Sequence, residues 1–269
     1  MKTRIGTATL LAALLAAGSP WPALAWGDLG HRIVAETAAL LVERDLPDTW
    51  GPLFARHRFQ LGYYSNLPDA LFRRIDNSEG RLEAPTHFLD LDLLAGTPRL
   101  SPQALETFDA IPRRFPEAKR SLEQRIGRET FARSGSVPWR TAQFLDLARD
   151  QVGSVRALRG GYRSGAASQG DVRRVYVSLS YFGLMSHYSG DAAVPHHTSS
   201  NWNSYAEGQG GLHFYFESDC VSIFEPGLSA EVLESALRNR ARWLEAWKAD
   251  REPPAGVVIP GSPPMRRCV

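Results

Sequence analysis

Cysteine is nearly missing from this chain: 269 residues carry two, Cys220 and Cys268. They stand far apart, so no Cys-x-x-Cys pair exists and a thiolate zinc knuckle is excluded. Charge of one sign is also missing, the formal net charge being +2 at pH 7. A balance so close to neutral gives no reason to expect a polyanion held by bulk charge. No segment alternates convincingly at strand period, no internal repeat is visible, and no glycine-rich phosphate loop occurs. Past the first residues no apolar run approaches the length of a membrane span.

The start of the chain has a different character. Lys2 and Arg4 precede a short apolar run at 9–17, and Ala23-Leu24-Ala25 fits the small-x-small cleavage rule. The expectation is a cleaved signal peptide over 1–25 and an exported protein, periplasmic or secreted. Removing Lys2 and Arg4 takes the formal charge from +2 to 0 and makes Trp26 the new N-terminus. Export makes a disulfide between Cys220 and Cys268 chemically allowed, and it would tie the proline-rich tail to the body.

Helical periodicity dominates what remains, so 26–269 reads as one all-α domain. Residues 28–45 carry an apolar stripe of Ile33, Val34, Ala38 and Leu41, with Asp28 as cap. Further helices are expected from Pro47 to 57, from Pro68, from Ser101-Pro102, over 116–133 and over 136–157. Asp171 should cap a central helix over 171–191. Two more follow, over 212–224 and 229–249, the last capped by Ser229. Residues 160–170 and 201–211 read as polar loops, and 87–94 is too short to assign.

The chemistry-bearing side chains are His31, His87, His187, His197 and His213, with Asp69, Asp191 and Glu217. His187 and Asp191 stand four apart, as do His213 and Glu217. That spacing puts imidazole and carboxylate on one helix face, one turn apart. Imidazole nitrogen and carboxylate oxygen are zinc ligands, and a single buried histidine is more often a core residue. Asp90, three after His87, is either the carboxylate that orients a ligand imidazole or a loop cap. His196 reads as structural support beside His197.

These residues sit in short motifs: Trp26-Gly-Asp-Leu-Gly-His31, Asn66-Leu-Pro-Asp69, His87-Phe88, His187-Tyr-Ser-Gly-Asp191, Pro195-His-His197 and His213-x-x-x-Glu217. The set resembles the zinc-dependent phosphodiesterases that include fungal P1/S1 nucleases and bacterial phospholipase C. The resemblance implies a compact multi-helix fold of the phospholipase C/P1 nuclease type and three Zn2+ ions. Asp69, His87, His187 and Asp191 would hold one. The Trp26 amine and carbonyl with His31 would hold a second, bridged by Asp191. His197, His213 and Glu217 would hold the third. Asp69 and Asp191 would be the catalytic carboxylates.

Two departures bear on substrate. Glu217 stands where the nucleases have aspartate, and Phe72 stands at the nuclease arginine position, with Arg73 beside it. Single-stranded nucleic acid or nucleotides are the expected substrates, with phospholipid headgroups as the alternative. Phe88, Tyr64 and Trp202 would line the pocket, with Arg73 near the phosphate. A reading of a different class is a non-catalytic, zinc-stabilised binding protein.

Overall fold

Ser168 starts the helix on which the others pack. Its hydroxyl accepts from the Asp171 amide at 3.2 Å, and the Asp171 carboxylate accepts from the Ser168 amide at 3.3 Å. This reciprocal pair is a capping box. Asp171 is thus the third residue of the helix rather than its cap. The computed structural model describes residues 27–47, 50–75, 82–95, 115–163 and 168–248. The expected leader, Trp26, the expected helix start at Ser101-Pro102 and the tail with Cys268 lie outside them.

Among the described residues the α-helices of five residues or more are α1 (Asp28–Asp45), α2 (Gly51–Arg56), α3 (Arg58–Ser65), α4 (Leu91–Ala95), α5 (Phe115–Ile126), α6 (Arg128–Arg133), α7 (Val137–Arg163), α8 (Gln169–Ala192) and α9 (Val221–Lys248). Among the described residues, strand-like pairing is limited to an isolated bridge between Leu89 and Gly135. The fold is all-helical and compact. No helix among the described residues is long and apolar enough to cross a membrane.

Two apolar cores flank α8. Val175 and Leu179 pack with Ala35 and Ala39 of α1, Phe54 of α2 and Leu61 of α3. Leu184 and Tyr188 pack with Leu89, Leu94, Leu122, Phe131, Trp139 and Phe144. At about 100° per residue, the five-residue step from Leu179 to Leu184 carries the stripe to another face. Burying each Val, Leu or Phe side chain here contributes about 1.5–3 kcal/mol. Gly183, His187 and Asp191, four apart, form a third stripe between these faces. Gly183 lets α3 approach: a Cβ there would stand 2.5 Å from Tyr64 Cβ and 3.0 Å from the Leu61 carbonyl oxygen.

Several boundaries differ from expectation for identifiable reasons. The helix expected over 116–133 breaks at Gly127, which takes φ +86. α1 begins after Gly27 with no side-chain cap, so Asp28 lies in the first turn. The helix assigned from Pro47 starts at Gly51. α7 runs on to Arg163, through what reads as a flexible Gly-rich loop. α9 is continuous through Pro226, so Ser229 caps nothing. Residues 225–227 are exposed, and water can satisfy the carbonyl that Pro226 leaves free. The Cys220–Cys268 disulfide is not upheld, since Cys220 is a buried thiol, 6% exposed.

Gly183→Ala should lower stability by about 1–3 kcal/mol, the usual cost of overpacking a close helix approach. Chemical denaturation measures it, and an unchanged midpoint would mean that α3 and α8 do not meet so closely.

Candidate metal centre

The site is assembled from six stretches of chain. The first turn of α1 presents His31, 1% exposed. Pro68–Phe72, a π-helical turn, carries Asp69, and a second π-helical turn, Tyr215–Cys220, carries Glu217. π-turns are rare and recur at functional positions. His87 ends a single 3-10 turn, Ala84–Thr86, and the C-terminal end of α8 carries His187 and Asp191. A 3-10 turn, Pro195–Thr198, carries His197, and His213 lies just before the second π-turn. All eight side chains are buried.

Three groups of ligand-capable side chains result: His31, His187 and Asp191; Asp69, His87 and His187; His197, His213 and Glu217. Asp191 divides its oxygens. Oδ1 lies 3.4 Å from His31 Nε2, whereas Oδ2 lies 2.9 Å from His87 Nδ1 and 3.2 Å from His187 Nε2. The His31 and His187 rings stack with centroids 3.8 Å apart. In the third group, His213 Nε2 lies 2.7 Å from Glu217 Oε2, and His197 Nε2 lies 3.5 Å from Glu217 Oε1.

Backbone carbonyls fix which nitrogen faces inward. His187 Nδ1–H donates to the Ser65 carbonyl at 2.7 Å, and His197 Nδ1–H donates to the His87 carbonyl at 2.5 Å. The other nitrogen of each neutral ring is then a bare lone pair. His187 Nε2 faces His87 Nδ1 at 3.0 Å, and His197 Nε2 faces His213 Nε2 at 3.1 Å. Lone pairs and carboxylates converging in a buried volume repel unless a cation lies between them. A tetrahedral zinc with bonds of about 2.0–2.1 Å spaces its ligand atoms about 3.3 Å apart. The inter-ligand distances of 2.7–3.5 Å within these groups bracket that edge. Asp69 Oδ1 stands further off, 3.8 Å from His87 Nδ1. The residues fit three metal ions.

Protonation follows the same logic. Burial drives His187 down to about 4, and repulsion from His31 adds to it. Burial opposes ionisation of Asp191, but His187, His31 and His87 outweigh it and hold the carboxyl well below the ordinary range. Glu217 is lowered likewise by His197 and His213 against burial. Burial would depress His87 and His197, yet Asp191 and Glu83 raise the first and Glu217 with Asp191 raise the second. Protons are drawn to the places a cation would fill, so metal binding should release them.

The remaining candidates divide. Arg73 Nη1 lies 3.3 Å from Asp69 Oδ1. Trp202 meets His213 edge-on at 5.6 Å and is 41% exposed, and Tyr205 packs against it. Phe88 instead lies over Gly135, and Tyr64 packs against the core shared by α1, α3 and α8. His196 tilts over His213 at 5.1 Å and stands outside the three groups. Trp26 is outside the described residues, but the next residue is held at the site. Gly27 N–H donates to the Glu217 carbonyl at 3.1 Å, and a Cβ at Gly27 would come within 2.9 Å of Ser218 Oγ.

No family model, curated protein or solved structure matches the chain.

Sequence reading missed Glu83, Ser65 and Tyr188. Asp90 acts electrostatically on the His197 imidazole, and the carboxylate behind His87 is Glu83, with Oε1 3.6 Å from His87 Nε2. The signal was the four-residue spacing read backwards, from His87 to Glu83. Asp90 itself is buried against Asp92. Burial pushes its carboxyl up to about 7 from 3.8, and Asp92 pushes the same way. The folded state therefore holds a proton between those values that the unfolded state has released. The stability from this group falls as pH rises through that window. Asp90→Asn should stabilise the metal-free protein near pH 8 by up to about 4 kcal/mol and change it little near pH 4. Thermal melts at both pH values check this, and an equal effect at both would contradict the buried, protonated state.

Proposed function

We propose that the protein is a zinc-dependent phosphoester hydrolase, a nuclease and 3′-nucleotidase of the P1/S1 type acting on single-stranded nucleic acid. The observation that carries this is the convergence of three buried imidazole–carboxylate groups, at tetrahedral spacing, around one end of α8. The motifs that resemble those phosphodiesterases are the ones that supply these side chains. Asp69, His87, His187 and Asp191 would hold one zinc. His31 and Asp191, with the Trp26 amine and carbonyl after leader removal, would hold the second. His197, His213 and Glu217 would hold the third. An exported, processed chain is part of this proposal, because an uncleaved leader would block the Trp26 amine.

Zinc supplies Lewis acidity toward a phosphoryl group and makes water acidic near neutral pH. The chain's own groups do the positioning. Asp69 is buried with Oδ1 3.8 Å from His87 Nδ1 and 3.3 Å from Arg73 Nη1, so it is placed to orient an attacking water or take its proton. Arg73 sits against the same oxygen and can reach a phosphate oxygen, neutralising charge that grows during the reaction. Trp202 and Tyr205 offer exposed rings beside His213 on which an unpaired base can stack, a contact worth about 1–3 kcal/mol per base. Duplex bases are already stacked, so such a shelf favours single strands.

The test uses protein beginning at Trp26, loaded with zinc, on single-stranded DNA, RNA, 3′-nucleotides and phosphatidylcholine vesicles. Single strands should be cleaved, chelation should abolish cleavage, and zinc should restore it. His187→Ala should lower the rate by about 100-fold or more, since it removes a ligand of the zinc that Asp69, His87 and Asp191 share with it. Preferential cleavage of phosphatidylcholine would replace this reading with a phospholipase C. Zinc binding without turnover of any phosphodiester from about pH 5 to 9 would leave a zinc-stabilised binding protein.

A further inference from the structure

Behind His87 lies a buried polar network that the reaction itself does not use. Glu83 is 7% exposed and Tyr188 is fully buried. The Tyr188 hydroxyl donates to Glu83 Oε1. Arg140 Nη2 donates to Glu83 Oε2 at 3.1 Å, and the Arg140 guanidinium lies over the rings of Phe144 and Tyr188 at 4.9 and 5.4 Å. Phe144 and Tyr188 stack with an interplanar angle of 5°. The turn that joins Glu83 to His87 is pinned as well. Thr86 donates from both its amide and its hydroxyl to the Glu83 carbonyl, and Ser136 donates its amide to the Pro85 carbonyl at 2.7 Å. The Glu83 carboxylate is held from two directions, by Tyr188 on Oε1 and Arg140 on Oε2.

We infer that Glu83 is the positioning carboxylate of the metal group containing His87, with Tyr188 and Arg140 fixing Glu83 in turn. His87 has two nitrogens and no backbone carbonyl on either, unlike His187 and His197, whose inner nitrogens are chosen by Ser65 and His87 carbonyls. Its Nδ1 faces Asp69, His187 and Asp191, and its Nε2 is turned to Glu83 Oε1 at 3.6 Å, the carboxylate placed to hold the hydrogen on that nitrogen when Nδ1 binds a metal. Carboxylates behind ligand imidazoles fix the tautomer, hold the ring plane and raise ligand basicity. Arg140 and Tyr188 keep the carboxylate from turning to another partner, and their aromatic packing ties the whole device to α7 and α8.

This rests on the metal reading of the site, and the experiment separates the two. Zinc is titrated into full mature protein against a chromophoric chelator, and cobalt replaces zinc to read ligand geometry from visible absorption. Wild type should take up three ions. Glu83→Gln keeps shape and an acceptor for Tyr188 but removes the charge. It should weaken one site by about 10–100-fold, alter the cobalt spectrum, and leave the remaining sites and the far-UV circular dichroism of the metal-free protein as in wild type. Tyr188→Phe leaves the Glu83 charge in place but frees one of its oxygens, and should weaken the same site less than Glu83→Gln does while keeping the other two affinities within about 3-fold of wild type. Failure of wild type to bind metal would end the metal reading itself. Three wild-type affinities in Glu83→Gln, or uniform weakening of all sites with loss of helicity in both variants, would overturn the role of Glu83 alone.

Discussion

Lone pairs that face each other in the dry interior are the constraint on which this structure depends. His187 Nε2 and His87 Nδ1 stand 3.0 Å apart with a carboxylate oxygen within 3.2 Å of each. A carboxylate buried without a partner costs several kcal/mol, and Asp191 and Glu217 are both fully buried. Protons can relieve part of this, as the raised His87 and His197 show. Divalent cations relieve it better, because one ion meets several acceptors at once.

The helical scaffold exists around that demand. α8 lends two faces to apolar cores and keeps a third for Gly183, His187 and Asp191. Gly183 brings α3 close, and closeness is what lets the Ser65 carbonyl at the end of α3 select the His187 tautomer. Short, irregular pieces deliver the other ligands. The Leu89 amide bonds the His197 carbonyl and His197 bonds the His87 carbonyl, so two turns distant in sequence fix each other. Packing, turn geometry and ligand chemistry are therefore parts of one arrangement.

Much of this was legible in the residues. The stripe of α1 gave its bounds directly, and the His187–Asp191 and His213–Glu217 spacings pointed to shared faces that the fold confirms. Gly127 was a visible break that the charged pattern around it obscured. Long-range partners were not legible. Nothing local tells that Ser65 serves His187, because a carbonyl carries no side-chain signature. Glu83 stands four residues before His87 and Tyr188 follows His187 directly, yet nothing local tells that the Tyr188 hydroxyl ends on the Glu83 carboxylate. Pro226 misled in the other direction, since an exposed helix tolerates the lost hydrogen bond. Phe88 lies against Gly135, and Tyr64 packs on the core of α1, α3 and α8, contacts that their neighbours in sequence did not announce.

The central claim is that three cations occupy one end of α8. A crystal of the mature protein grown with zinc, measured on either side of the zinc absorption edge, addresses it directly. Three anomalous peaks should appear: one among Asp69, His87, His187 and Asp191, one beside His31 and Asp191, and one among His197, His213 and Glu217. A map with no peak between His87 and His187, and with those nitrogens still 3.0 Å apart, would contradict the account.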